Sequence, residues 1–236
     1  MATIAADLGT EQKSPCDHLV RQIRASKVDA RPVPHAVIDK PFSAEFLQQI
    51  LQAMPDPSQF SEARGSGRFQ SACRRLLDVE AKREDFFLTR RKMNNASLPS
   101  IWHDLVDWLG GPEVRNAFID AYVPKPLQAK DWSIYNTDLR LVREQGAAYI
   151  APHLDQPSKV CVVVIYINAH ANSKIGTSLL QHDLETDSFV ELKRVPFKSN
   201  TAFVLPRTAD AWHGVAPQAI DQCRLTLHLY IRQAGH

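Results

Sequence analysis

The sequence predicts a mainly β fold, an antiparallel sandwich or barrel, supported by helices that come earlier in the chain. From about residue 132 onward, short apolar or alternating segments are separated by turn residues, with no helical pattern between them. Within residues 40–125, apolar residues instead recur at helical spacing. The chain has 236 residues, 44% of them hydrophobic, so it can bury a sizeable core as one large domain.

The first half of the chain divides into a polar segment and a helical layer. Residues 1–30 are polar and weakly patterned, so we assign them to an N-terminal extension with at most one short helix. Ser43 is a candidate N-cap for a helix whose apolar stripe ends before Pro55. Residues 56–71 contain Gly and Ser and are expected to form a long loop, a candidate lid. Residues 79–122 are expected to be helical.

The second half is expected to hold the β core over residues 132–232, within a single domain that spans residues 31–236. Turn residues separate the strand candidates, which is typical of antiparallel sheets. The strand candidates are "IYNTDLRLVRE", "KVCVVVIYIN", "GTSLLQHDL", "SFVELKRV", "NTAFVLP", "AWHGV" and "CRLTLHLYIR".

A histidine and a carboxylate, His153 and Asp155, stand just before the long apolar strand. Residues two apart in an extended chain project to the same face, and this pair suits a first-row divalent metal. His213 in "AWHGV" would complete a set of two histidines and one carboxylate, which is typical of non-haem Fe(II) oxygenases. An ordinary polar strand edge is the alternative that spacing leaves open.

The last strand candidate, "CRLTLHLYIR", alternates strictly between apolar and polar residues. Its leucine face is expected to pack on a core. If the polar face is also enclosed, Arg224 and Thr226 need a partner, and a ligand carboxylate would satisfy both side chains. The competing interpretation is an edge strand that faces solvent.

Taken in chain order, these motifs resemble those of the Fe(II)- and 2-oxoglutarate-dependent oxygenases, in their prolyl-4-hydroxylase-like branch. "HLDQPSKVCVVVIYIN" resembles the family's H-T-D-x-P-x-K strand, and "IGTSLL" resembles its G-G-x-x-L strand, with Ile175 in place of the first glycine. "NTAFVLPRTADAWHGV" resembles the strand that leads to the distal histidine. The resemblance covers about residues 33–232. It implies a double-stranded β-helix, the jelly-roll or cupin-like core, packed by the N-terminal helices.

The resemblance also implies roles for individual residues. The Fe(II) ligands, which are also the catalytic set, would be His153, Asp155 and His213. Arg224 would bind the distal carboxylate of 2-oxoglutarate, with Thr226 supplying a hydroxyl. Two further residues are candidates for contacts with the cosubstrate: Arg140, for which a surface ion pair is the alternative, and Tyr149, for which packing is the alternative.

The implied reaction uses O2 and converts 2-oxoglutarate to succinate and carbon dioxide while a C–H bond is oxidised. Because Asp155 is present, hydroxylation is favoured over halogenation. We expect the substrate to be a small polar metabolite such as a free amino acid. The alternatives are a protein- or carrier-tethered residue, a non-catalytic metal-binding jelly-roll protein, and a zinc hydrolase. No general-base glutamate stands at helical spacing to a ligand pair, which counts against the hydrolase.

Composition argues against several other classes of protein, namely nucleic-acid-binding, membrane-spanning and secreted proteins. A net charge of +2 and a pI of about 8.3 do not indicate a nucleic-acid partner, and no apolar run is long enough to predict a membrane span. The four widely spaced cysteines and the lack of a signal sequence predict a cytoplasmic protein. A homodimer remains one possible oligomeric state.

Four arginines form a basic stretch that suits a solvated loop, with an anionic ligand as the alternative: Arg64, Arg68, Arg74 and Arg75.

Overall fold

A computed structural model describes residues 14–89, 98–168 and 175–234. Side-chain caps mark the start of the first two helices: Ser14 accepts a hydrogen bond from the Asp17 amide, and Ser43 accepts one from the Phe46 amide. In chain order the α-helices of the described residues are α1 (Pro15–Ala25), α2 (Ala44–Gln52), α3 (Ser66–Leu77), α4 (Ser100–Leu109) and α5 (Pro112–Tyr122).

Nine strands follow or interleave with these helices in the described part of the chain. The predicted mainly β fold with supporting helices is confirmed. The strands are β1 (Ala36–Asp39), β2 (Ser61–Glu62), β3 (Lys82–Leu88), β4 (Tyr135–His153), β5 (Lys159–Tyr166), β6 (Gly176–Asp183), β7 (Ser188–Pro196), β8 (Thr201–Pro206) and β9 (His213–Gln233).

Two long strands, β4 and β9, join two antiparallel layers. The larger layer has the order β1-β8-β5-β9-β4-β3-β2. There the first part of β4 pairs with the last part of β9, from Tyr135 opposite Gln233 to Glu144 opposite Arg224. The remaining parts of both strands pair with each other, and β9 continues through β6 to β7 to make the smaller layer. This is the double-stranded β-helix.

Separate cores lie on the two faces of the larger layer. The helices pack their apolar faces on one face, where Leu227, Leu229 and Ile231 of β9 are fully buried, as the strict alternation of that strand predicts. A second core fills the space between the two layers, with members such as Leu179, Phe203 and Val215. The opposite, polar side of β9 therefore faces the space between the layers.

The first helix, α1, lies within residues 1–30, where one short helix was allowed, and it belongs to the main core. Leu19 and Ile23 are fully buried, and the Tyr122 hydroxyl of α5 donates a hydrogen bond to the Ile23 carbonyl at 2.9 Å. Residues 1–13 lie outside the described residues.

Two expectations were wrong. Residues 56–71, expected to be a loop, contain β2 and the start of α3, because Phe69 and Cys73 of α3 pack onto the sheet. The expected helix over residues 79–122 begins with β3, which pairs along its whole length with β4. Tertiary pairing therefore overrides local pattern in both places.

None of the described helices has the length and apolar character that a membrane crossing requires.

Gly146 allows β4 to pass from one layer to the other. Its φ is +77°, and a Cβ there would lie 2.2 Å from the Glu80 carbonyl oxygen. We therefore expect Gly146→Ala to lower the free energy of unfolding by about 2 kcal/mol or more, measured by urea denaturation.

Gly67→Ala is the matched control. Gly67 lies in α3, where a Cβ would contact no atom within 4 Å. Alanine there should stabilise the protein by up to about 0.5–1 kcal/mol. Equal losses for the two variants would contradict a special role for Gly146.

Candidate metal centre

The two layers bring His153, Asp155 and His213 together. One ligand atom from each of the three lies within 4.8 Å of the others. His153 ends β4, His213 begins β9, and the two are paired in register, with ring centroids 4.2 Å apart. Asp155 lies two residues beyond β4, and its Oδ2 is 3.6 Å from Nε2 of His213. The three side chains thus converge on one point from neighbouring strand ends.

Backbone hydrogen bonds fix both imidazoles in the same tautomer. Nδ1 of His153 lies 3.0 Å from the Ala151 carbonyl, and Nδ1 of His213 lies 3.0 Å from the Ala211 carbonyl. A carbonyl oxygen only accepts, so Nδ1 carries the proton and donates in each case. Both Nε2 lone pairs are left for a metal. A hydrogen bond from the other ring nitrogen to a carbonyl is the usual support of a metal-binding histidine.

The charge states also suit a divalent metal. Burial raises the pKa of Asp155, but the charge of the Lys159 ammonium and the hydrogen bond that it donates outweigh burial and hold this pKa below its ordinary value. The Lys159 ammonium donates a hydrogen bond to Asp155 Oδ1 at 2.6 Å, which leaves Oδ2 facing the histidines. Burial, with the neighbouring His153, lowers the pKa of His213 to about 4. Asp155 is therefore a carboxylate and His213 a neutral imidazole at neutral pH.

A cavity of about 170 Å³ extends from the three ligands into the space between the layers. Arg224 and His228 of β9 line it, together with Thr177 of β6 and Phe197. The Arg224 guanidinium lies 4.1 Å from the centre of the Phe197 ring. One cavity therefore holds the candidate metal ligands and the predicted carboxylate-binding arginine.

Arg224 sits in a buried cluster of three charges. Its side chain is 5% exposed and donates a hydrogen bond to Glu144, which is fully buried and lies opposite it in the sheet. Arg83 of β3 approaches the same carboxylate, with Nε 3.3 Å from Oε1. Burial lowers the pKa of Arg224 to about 9, so the side chain remains a cation at neutral pH. Two cations face one anion.

This cluster fits a ligand carboxylate. Its charge surplus is one positive charge, and buried charges are stable only when they are paired. The buried Nε of Arg224 has no hydrogen-bond partner among the described residues. A carboxylate bound in the cavity would supply both the missing charge and the missing acceptor. The donor set therefore fits 2-oxoglutarate, and the two histidines with Asp155 fit Fe(II).

Glu144→Gln should destabilise the protein strongly, because it leaves two buried cations without their anion. We expect a loss of about 3–5 kcal/mol in the free energy of unfolding, measured by chemical denaturation. Glu80→Gln is the matched control, since Glu80 pairs with Arg74 on the surface and its side chain is 88% exposed. The control should change stability little. A similarly small effect of both substitutions would contradict the buried cluster.

The other predicted contacts lie in different places. The Thr226 hydroxyl is on the same face as Arg224 but is hydrogen-bonded to His228 Nε2 at 3.0 Å. Arg140 is paired with Asp85 at 3.4 Å, in a groove beside the cavity. Tyr149 does not line the cavity that holds the ligands. It packs instead beside the α3 cluster, because Ala148 and Ile150 on either side of it face inward.

Sequence analysis did not single out Glu144 or Arg83, and no local signal could have found them, because their roles depend on strand pairing across the sheet. Lys159 also belongs to the site, since its partner is Asp155, whose side chain is only 7% exposed.

Comparisons with known proteins support the fold. No protein-family model matches the sequence, and no curated protein is significantly similar to it. The structure is similar to that of a Pseudomonas putida prolyl-4-hydroxylase, with a TM-score of 0.52, 11% identity, and coverage of 94% of this chain and all of that one. It is also similar to that of a Phytophthora capsici prolyl 4-hydroxylase, with a TM-score of 0.53 and 14% identity. That match covers 93% of this chain and 65% of the other.

At these identities the likeness establishes the fold, and the site must be judged from its own residues. The double-stranded β-helix carries an H-x-D pair and a distal histidine that meet at one point. The fold is similar to that of the two prolyl 4-hydroxylases, and two histidines with one carboxylate are a ligand set typical of non-haem Fe(II) oxygenases.

Proposed function

We propose that this protein is an Fe(II)- and 2-oxoglutarate-dependent dioxygenase that hydroxylates an unactivated C–H bond of a small polar metabolite, such as a free amino acid. The observation that carries the proposal is the single cavity that joins the triad to Arg224. A metal site alone would suit a binding protein or a hydrolase equally well. The buried cation with a free donor adds a place for a carboxylate cosubstrate.

Each part of the site has a distinct task. His153, Asp155 and His213 would hold Fe(II) on one face and leave the opposite face open to other ligands. Arg224 would bind and orient the distal carboxylate of 2-oxoglutarate. When bound, the metal and 2-oxoglutarate supply the oxidising power by which O2 attacks a C–H bond, with release of succinate and carbon dioxide. The apolar side chains of the cavity, among them Val164 and Leu205, limit access of water.

The size of the inner cavity supports a small substrate. About 170 Å³ accommodates a cosubstrate, and the substrate would approach through the wider groove that adjoins it. A residue within a peptide is the second candidate, because the groove is open at the surface and the two structural neighbours named above are prolyl 4-hydroxylases.

O2-dependent formation of succinate from 2-oxoglutarate tests the proposal. Free amino acids and the same residues within short peptides should be supplied in parallel, with Fe(II) and under matched conditions. Stimulation by free amino acids, with equimolar succinate and hydroxylated product, supports the small-metabolite proposal. Stimulation by peptides alone supports the second candidate. No succinate under any condition would favour a non-catalytic metal-binding protein.

A further inference from the structure

A groove rich in arginine adjoins the metal centre. It encloses about 590 Å³ and shares His153, Asp155 and Lys159 with the inner cavity, so the two spaces are continuous. Two acidic residues, Asp85 and Asp155, also line it. We call it the basic groove, because six cations line it: Arg64, Arg68, Arg83, Arg140, Lys159 and Arg232.

Four of the six cations already face a carboxylate, which leaves two without one. The side chains of Arg64 and Arg68 make no hydrogen bond or ion pair with any residue in the described ranges. The paired cations are Arg140 with Asp85 at 3.4 Å, Lys159 with Asp155 at 2.6 Å, Arg232 with Asp138 at 2.7 Å and Arg83 with Glu144 at 3.3 Å. The surplus charge of the groove therefore lies at Arg64 and Arg68.

Arg64 and Arg68 lie at the N-terminal end of a helix, where positive charges are unfavourable. They flank the start of α3, whose N-cap, Gly65, provides no side-chain hydrogen bond, and the first turn of α3 has no acidic residue. The N-terminal end of a helix is positive, so nearby cations are unfavourable there and anions are favourable. Departures from local rules of this kind are expected at functional sites.

The other two arginines of the same basic stretch obey the local rule. Arg74 and Arg75 lie in the last turn of α3, where the helix dipole favours cations. Arg74 also pairs with Glu80 at 2.8 Å, away from the basic groove. The two pairs of arginines therefore differ in surroundings, because they lie at opposite ends of α3.

Deeper in the groove, Arg140 offers a further free donor. Its Nε is buried and has no hydrogen-bond partner among the described residues, and its contact with Asp85 is long. Arg140 also lies over the rings of Phe87 and Tyr230, which hold the guanidinium in place. An acidic ligand would meet donors along the groove as well as at its edge.

We propose that the substrate carries an acidic group, a carboxylate or a phosphate, and that Arg64 and Arg68 bind this group. The substrate would lie along the basic groove with the carbon to be oxidised beside the metal centre. This inference rests on the proposed function and narrows the polar metabolite to an anionic one. It assigns Arg64 and Arg68 to substrate specificity and gives them no part in binding metal or 2-oxoglutarate.

Isothermal titration calorimetry of the protein loaded with Fe(II) and saturating 2-oxoglutarate under nitrogen tests this proposal. Saturation prevents acidic probes from binding at Arg224. The carboxylate arm compares N-acetylglycine with N-acetylglycinamide, and the phosphate arm compares glycerol 3-phosphate with glycerol. The groove variant is Arg64→Gln/Arg68→Gln. The control, Arg74→Gln/Arg75→Gln, removes the same charge at the other end of α3.

We expect at least one acidic probe to bind the wild type more tightly than its neutral partner does. The groove variant should weaken that binding by about tenfold, and the control should leave it within about twofold. The arm that responds identifies the acidic group as a carboxylate or a phosphate. Thermal melting checks that both variants fold, which is expected because both pairs lie at the surface.

Two results would overturn the proposal: no preference of the wild type for either acidic probe, or equal loss of binding in the groove variant and the control. Failure of the proposed function has a separate signature in the same experiment. In that case the Fe(II)-loaded protein would not bind 2-oxoglutarate in the titration that precedes the probes.

Discussion

We expect His213→Ala to lower the affinity for Fe(II) by at least about 100-fold and to abolish the proposed conversion of 2-oxoglutarate to succinate. The substitution removes one of three ligands, and loss of even a supporting contact to a metal ligand typically lowers affinity or activity 10- to 100-fold. His213 is also the only ligand that the β9 strand contributes among the described residues, so no neighbour can take its place. Equilibrium dialysis against Fe(II) under nitrogen measures the affinity.

His103→Ala is the matched control for this prediction. His103 lies on α4, outside the candidate metal site, and its substitution should leave both Fe(II) affinity and turnover unchanged. Retention of wild-type Fe(II) affinity by His213→Ala would show that the three side chains do not form the metal site.

We expect Arg224→Gln to raise the dissociation constant of 2-oxoglutarate by about 100-fold and to leave Fe(II) affinity unchanged. Two hydrogen bonds from a guanidinium to a carboxylate contribute about 1.5–3 kcal/mol each, of which glutamine retains a part. The surroundings strengthen the effect, because Arg224 is 5% exposed and water cannot replace the lost donor. Calorimetric titration of the Fe(II)-loaded protein with 2-oxoglutarate measures the change.

Arg232→Gln controls for loss of a positive charge on the same face of β9. Arg232 lies eight residues further along and pairs with Asp138, so its substitution should change 2-oxoglutarate affinity less than about threefold. Arg224→Lys separates charge from shape: it should fall between the wild type and Arg224→Gln, because a lysine cannot bind bidentately. Equal affinities of Arg224→Gln and the wild type would remove Arg224 from the cosubstrate site.

The β core could be predicted because its signals are local. Apolar alternation in β9 identifies which face is buried, and the spacing of His153 and Asp155 shows that they can share a site. Both features follow from the two-residue repeat of a strand. His213 and Arg224 could be proposed from their own segments, and the resemblance to a known family joined them to the H-x-D pair, which no spacing rule does.

What could not be predicted depends on contacts between distant segments. Glu144 is one of several charged residues in its strand, and only the register of β4 against β9 places it opposite Arg224. The strand β3 has a composition that suits a helix, and it is a strand because β4 offers it a partner. For Tyr149 the sequence left packing open beside a cosubstrate contact, since the face on which a residue lies changes with a shift of one position.

One measurement distinguishes an oxygenase from a non-catalytic metal-binding protein and from a zinc hydrolase. Fe(II) is added to the wild-type protein under nitrogen, followed by 2-oxoglutarate, and the visible spectrum is recorded for a metal-to-ligand charge-transfer band. We predict that the band appears with 2-oxoglutarate and is lost or weakened in His153→Ala and Arg224→Ala. Binding of Fe(II) with no band at any 2-oxoglutarate concentration would contradict the proposed cosubstrate, and with it the assignment of this protein as a dioxygenase.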